Sequence, residues 1–390
     1  MSVGDKDTCL QFWKNIWERP VQHNDQAEWI PEVRSVLATA EEQEELVINE
    51  TVVSGRVKKM TNWSSPGIDG LHAFWIKHLS ILHKRVASQL MDCLTTATVP
   101  DWMTRGRTYL LMKDKSKGPQ PGNFRPITCL PSMWKLFTGI LADSIYHHLD
   151  SQNILPVEQK GCKKNSRGCK EQLLVDKMIL KNCKRRKRDL TMTFIDYKKA
   201  YDSVPHSWIL SCMTMCGISS TIIDLFEASF SQCQVKLMLG KDSIGDVKIN
   251  RGLFQGDSVS PIHFIISLIP LSILINNLNV GYSLTAKGPK VSHRLYMDDL
   301  KLYSDTIEEM NDMVNTTSVF SSDICMQFGL DKCGSLTVVK GSKATFEGIS
   351  LPSGERIHDL EDEGYKYLGI LESSSIMHTE MKALVSKEYN

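Results

Sequence analysis

The stretch His293-Arg-Leu-Tyr-Met-Asp-Asp-Leu-Lys-Leu-Tyr303 decides how this chain is read. Apolar residues nearly alternate on both sides of two adjacent carboxylates, Asp298 and Asp299. That pattern reads as strand, tight turn, strand, with the acids at a hairpin tip. Side-by-side carboxylates repel, so a fold that keeps them together usually does so to hold a cation. A third acid, Asp196, ends the apolar run Leu190-Thr-Met-Thr-Phe-Ile-Asp196, which reads as a buried strand. Two adjacent strands would bring all three carboxylates to one point.

Working outward, the first fifty-odd residues read as acidic and helical, with Trp13, Trp17 and Trp29 to pack. The run Glu41-Glu42-Gln43-Glu44-Glu45 reads as a solvated helix face or start. A turn cluster at 62–70 precedes a helix-like stretch at 71–94. Pro100, Gly118, Pro119, Pro121 and Gly122 then punctuate a strand-and-loop region. Further helices are expected at 133–149, 205–215 and 261–278. A hairpin is expected at 235–249, with turns near Gly240 and Gly245. The segment 308–328 is amphipathic, with Gly329 as its stop, and 335–340 reads as a strand. There is no internal repeat. The succession of strand, helices, hairpin, helix and strand predicts an α+β fold, with helices on one face of an antiparallel sheet.

The 390 residues suffice for two or three domains. The net charge of +1 is unevenly spread: residues 1–50 hold 11 acidic and 4 basic side chains, leaving a net of +8 for the rest. A basic body suits a polyanionic partner, and ordinary surface charge reads equally well. The eleven cysteines are scattered and no secretory signal is present, so a reduced, intracellular protein is expected. The spacings of Cys162/Cys169 and Cys212/Cys216 have no matching partner pair, which argues for structural or free thiols over zinc. The longest apolar run, 264–275, contains Pro270 and is too short to cross a bilayer, so no membrane span is expected. The basic run Lys184-Arg-Arg-Lys-Arg188 reads as a phosphate contact, a nuclear-import signal or a solvated turn.

Seven segments in order resemble the motifs of reverse transcriptases of the LINE-type (non-LTR) retrotransposon kind. Phe194-Ile-Asp-Tyr-Lys-Lys-Ala-Tyr-Asp-Ser-Val-Pro205, Arg251-Gly-Leu-Phe-Gln-Gly-Asp-Ser-Val-Ser-Pro261 and Tyr296-Met-Asp-Asp299 resemble the three catalytic motifs. Gly329-Leu-Asp-Lys-Cys333 and Tyr365-Lys-Tyr-Leu-Gly369 resemble the two that follow. Ser65-Pro-Gly-Ile-Asp-Gly70 and Asn123-Phe-Arg-Pro-Ile127 resemble motifs of the polymerase fingers. The resemblance implies a right-hand polymerase fold, with a helical extension at 1–60, fingers at 61–188 and a palm at 189–370. Residues 371–390 would begin a missing or truncated thumb, and no endonuclease domain or zinc-finger pairs are expected.

It further implies RNA-directed DNA polymerisation, with an RNA template, a DNA primer and deoxynucleoside triphosphates as partners. Asp196, Asp298 and Asp299 would be the catalytic acids and would bind two Mg²⁺ ions, with Mn²⁺ as a substitute. Tyr201 would sit under the sugar and clash with a ribose 2′-hydroxyl. Gln255 and Gly256 would approach the nucleotide and template, glycine allowing close backbone approach. Lys113, Arg125 and Lys332 would meet the triphosphate and its leaving group. A nuclear location follows from that role. The rival readings are a nucleic-acid-binding remnant without turnover and a nucleotidyl cyclase on a palm-like fold.

Overall fold

The structure is a computed structural model and describes residues 3–285, 288–360 and 364–389. The chain forms two compact units, neither a single stretch of sequence. One draws on residues up to 26, 30–154 and 201–267; the other on 27–29, 155–200 and 268 onward.

The second unit is built on a five-stranded, wholly antiparallel sheet. Its order is Ser342–Ala344, Gly334–Val339, Leu190–Ile195, Asp299–Ser304, His293–Tyr296. Leu190–Ile195 lies at the centre and is buried along its whole length. Alternation along a strand sends every second side chain to one face. Leu190 and Met192 therefore join Tyr303, Leu336 and Val338, and pack beneath Ile179, Leu180 and Cys183 of the helix Cys169–Arg186. The helix Ile307–Asp323 also packs on the two central strands and buries Met310, Met313, Val314 and Phe320. Its N-cap is Thr306, whose side chain accepts the Glu309 N–H. Trp29 belongs to this unit, where its indole donates to Asp323 Oδ2 at 2.8 Å and rests on Phe320.

The first unit holds a four-stranded sheet ordered Phe124–Cys129, Arg105–Met112, Gln234–Leu239, Asp242–Lys248. The middle pair is parallel and the outer pairs are antiparallel. Leu110, Phe124, Val235, Leu237 and Val247 line its inner face. Trp13 and Trp17, one turn apart on the helix Val3–Trp17, cover that face with Cys9.

Several expectations are corrected. Residues 41–45 are not helical: Gln43 donates its backbone N–H to the Gly217 carbonyl, and its side chain bonds Ser144 and Ser219. Backbone groups paired to distant segments are not free to form an i→i−4 ladder. The stretch 71–94 is broken into Ala73–His78 and His83–Thr96 by a 3₁₀ turn, Ser80–Leu82. His83 caps the break, its ring meeting the Ile76 carbonyl and the Ser54 hydroxyl. Gly245 is no turn: it lies within a strand where the register shifts opposite Leu237, and the turn is at Gly240. The helix expected to reach 328 ends at Asp323, because Cys325 takes φ 57° and Phe328 turns away to bridge with Tyr197. The apolar helix Ser260–Asn277 has 18 residues, enough by length and composition to cross a bilayer. Burial of 78% of it inside the protein makes it a core helix.

Candidate active site

Asp196 directly follows the central strand, and the neighbouring strand begins at Asp299. The pairing Ile195↔Leu300, continued by one residue, sets Asp196 across from Asp299. Asp298 sits beside them in the two-residue turn closed by the pair Tyr296↔Asp299. All three acids are half-buried. Burial, and then the charges of Asp298 and Asp196, push the Asp299 carboxyl up to about 6.

The turn is strained and held from outside. Met297 has φ 57°, a conformation uncommon for a residue with a Cβ. The buried Gln159 grips both its backbone groups: its Oε1 accepts the Met297 N–H at 3.0 Å and its Nε2 donates to the Met297 carbonyl. Gly161 leaves room for the turn, since a Cβ there would lie 2.7 Å from Met297 N. Gln159 and Gly161 were not among the residues singled out from sequence. Their partner is 138 positions away from Gln159, and no local signal marks such a pairing.

Residues 329–333 wrap around Asp196. The Gly329 N–H donates to the Asp196 carbonyl at 2.7 Å, and the Asp196 N–H points at Cys333 Sγ. Lys332 Nζ lies 2.9 Å from Asp196 Oδ2. Desolvation works to lower the Lys332 pKa. The hydrogen bond and charge of Asp196, with the charges of Asp331 and Asp298, outweigh it and raise the pKa, so Lys332 stays protonated. The hairpin Tyr365–Tyr367/Ile370–Glu372 turns through Leu368 and Gly369, both with positive φ. Tyr365 stacks on Phe194 at 4.1 Å, two residues before Asp196.

Among the described residues no group of three or more His, Cys, Asp or Glu side chains is arranged to hold a metal ion. A hard divalent cation can be held through only one or two carboxylates, its other positions filled by water and substrate phosphates. The mutual repulsion raising Asp299 is the kind of negative charge such a hard cation relieves, so the donor set fits one. A test follows from the sign. A carboxyl raised from 3.8 to about 6 makes stability fall as pH climbs through that window, because the folded state binds more protons there. Asp299→Asn is expected to stabilise the metal-free protein by about 1–2 kcal/mol near pH 8, discounted for partial exposure, and by nothing near pH 3. Urea unfolding in chelator checks this. An equal gain at both pH values would show that charge repulsion is not the cause.

The remaining sequence-selected residues lie in the first unit. Tyr201 is half-buried, its ring stacked on Phe264 at 4.7 Å, and its carbonyl accepts the Leu253 N–H. The Gln255 carbonyl accepts the Thr128 N–H. Gly256, at φ 133°, needs its missing Cβ because that atom would sit 2.4 Å from the Thr128 carbonyl oxygen. The close approach at Gly256 is thus to this chain's own backbone. Asp257, absent from the sequence-selected set, is buried and holds the same loop. It accepts hydrogen bonds from Trp134 Nε1, the Thr138 hydroxyl and the Ser258 N–H. Arg125 is exposed on the strand Phe124–Cys129, and Lys113 is exposed one residue past the end of its partner strand Arg105–Met112. Leu111 pairs with Arg125, and the Lys113 N–H meets the Asn123 carbonyl. Continued one residue past the strand end, the period of two puts Lys113 on the same outer face as Leu111 and Arg125.

The reverse transcriptase (RNA-dependent DNA polymerase) family profile matches residues 112–371, two thirds of the chain. The chain belongs to that family. It is 29% identical over 243 residues, 62% of its length, to a retrovirus-related Pol polyprotein from the type-1 retrotransposable element R2 of Popillia japonica, covering 33% of that protein. It is 22% identical over 336 residues, 81% of its length, to the polyprotein from the type-2 element R2DM of Drosophila melanogaster, covering 29%. A further R2 polyprotein, from Nasonia vitripennis, is 24% identical over 278 residues, covering 69% of this chain and 26% of that one. The chain thus spans about a third or less of the curated relatives it matches. These similarities identify a reverse transcriptase domain of the non-LTR retrotransposon kind, with an α+β fold of the fingers-and-palm type. Reverse transcriptases use divalent metals, and the matched region includes all three acids and the Lys332 segment.

Proposed function

We propose that this reverse transcriptase chain adds deoxynucleotides to a primer 3′-hydroxyl on an RNA template. The observation that carries the reading is the set of three half-buried acids at neighbouring strand ends, with Asp299 raised to about 6 by burial and by the other two. Asp196, Asp298 and Asp299 would hold two Mg²⁺ ions, or Mn²⁺ in their place. When bound, the ions supply Lewis-acid stabilisation to the attacking and leaving oxygens. Lys332 stays protonated beside Asp196 and would bring positive charge toward the pyrophosphate that leaves. Gln159 would keep the acids in place by fixing the Met297 turn.

Tyr201, braced by Phe264, would present a rigid edge against a 2′-hydroxyl, which is selection by clash. Lys113 and Arg125, on one sheet face, would meet the triphosphate, arginine forking onto its oxygens and lysine acting as a point charge. In this reading 61–188 supplies fingers and 189–370 the palm. The deciding experiment is primer extension on an RNA template with Mg²⁺, comparing the parent with an Asp298→Ala, Asp299→Ala variant. Extension by the parent alone is the expected result. Equal extension by both would remove the acids from the chemistry, and bound primer–template with no extension by either would favour a binding remnant.

A further inference from the structure

Residues 160–188 concentrate charge to an unusual degree: twelve lysines and arginines against two acids, in a chain whose whole net charge is +1. Both acids are engaged. Glu171 pairs with Lys160 and accepts the Arg167 N–H, and Asp176 is buried against Lys301. The helix Cys169–Arg186 turns Gln172, Asp176, Ile179, Leu180 and Cys183 inward. On its other side Lys170, Leu174, Lys177, Met178, Lys181 and Arg185 fall at i, i+4, i+7, i+8, i+11 and i+15, all exposed. That spacing makes one stripe roughly 100° wide, on a helix about 27 Å long. Cations in a last turn are ordinarily explained by the helix dipole. That covers Lys184, Arg185 and Arg186, but not Lys170, Lys177 and Lys181.

We propose that this stripe binds the sugar–phosphate backbone of a nucleic-acid duplex through cations outside the catalytic set and without reading sequence. Charge complementarity selects a polyphosphate. Residues 160–188 contain no aromatic side chain, whereas surfaces for single strands stack unpaired bases on aromatic rings. The same lack argues against an interfacial membrane helix, for which Leu174 and Met178 supply little apolar area. A duplex offers a fixed lattice of phosphates to cations fixed on a rigid helix.

The test uses the full chain with Lys177→Gln, Lys181→Gln and Arg185→Gln combined. The probes are a blunt DNA duplex and an RNA–DNA hybrid of equal length, titrated across salt concentrations. Loss of three phosphate contacts should lower the slope of log affinity against log salt by about 3. Affinity at low salt should drop about ten-fold or more for whichever duplex the stripe takes. A charge-conserving variant, Lys177→Arg, Lys181→Arg, Arg185→Lys, should bind like the parent. The proposal is overturned if both duplexes keep the parent slope. It is also overturned if single strands lose as much as duplexes, if the loss is confined to phosphatidylserine vesicles, or if the charge-conserving variant is equally impaired. The inference goes beyond the polymerase reading. Primer extension is not its readout, so either can fail alone.

Discussion

Lys301→Met is expected to destabilise the protein by about 3–5 kcal/mol, the usual cost of removing one partner from a buried ion pair. Lys301 is completely buried on the Asp299 strand. Its ammonium contacts Asp176 from the overlying helix and Glu372 from the hairpin strand Ile370–Glu372. It also lies 4.5 Å from the ring centre of Phe194 and 4.9 Å from that of Tyr367, positions where a cation gains from aromatic faces. Burial alone would raise Asp176. The Lys301 charge, with hydrogen bonds from Glu372, Lys301 and Tyr303, outweighs it and holds that carboxyl low. Burial pushes Glu372 up to about 8, so Asp176 is the stronger acid of the two. Methionine would strand the Asp176 charge in an apolar site. Adding Asp176→Leu and Glu372→Met should recover most of the loss, because a fully apolar replacement leaves nothing unpaired. Urea unfolding measures both. A loss below about 1 kcal/mol for the single variant would mean that the ions are reached by water and not truly buried.

Asp196→Asn is expected to lower primer extension by at least a thousand-fold while leaving the fold intact. Stabilising the reacting oxygens through a carboxylate-held cation contributes several kcal/mol, and each 1.36 kcal/mol is a factor of ten. The fold should survive because the contacts of Gly329 and Cys333 are made with the Asp196 backbone and not its carboxylate. The substitution also takes away the carboxylate that Lys332 touches at 2.9 Å, a partly exposed pair that contributes little to stability. Single-turnover extension at saturating primer–template, beside thermal unfolding of both proteins, separates the two effects. Activity within ten-fold of the parent would displace Asp196 from the catalytic set.

The acid-bearing strands were legible because their signals are local. Leu190–Ile195 is six consecutive strand-forming residues, and the Asp298–Asp299 turn sits between two short alternating runs. Charge and glycine were less trustworthy guides. The acidic run at 41–45 suggested a helix, but Gln43 anchors it to Gly217 and Ser219 outside any helix or strand. Gly245 looked like a turn, yet it serves a bulge where Leu10 packs close. Least legible were the supports of the site. Gln159 meets Met297, and Lys301 meets Glu372, across 138 and 71 positions. Lysine inside a strand reads as a solvent-facing residue until the fold shows two acids and three rings around it.

The way the two units share the chain bears on how the protein can be made and cut. The central strand Leu190–Ile195 finds both its neighbours, Asp299–Ser304 and Gly334–Val339, more than a hundred residues downstream. Residues 201–267, lying between those partners in sequence, belong to the other unit. No single cut, whether at 188 or elsewhere, releases either unit whole. Synthesis must run well past residue 300 before the acid-bearing sheet can close. Such long-range pairing favours slow folding with exposed strand edges along the way. Expressing either unit as a single fragment is therefore a poor route to this active site.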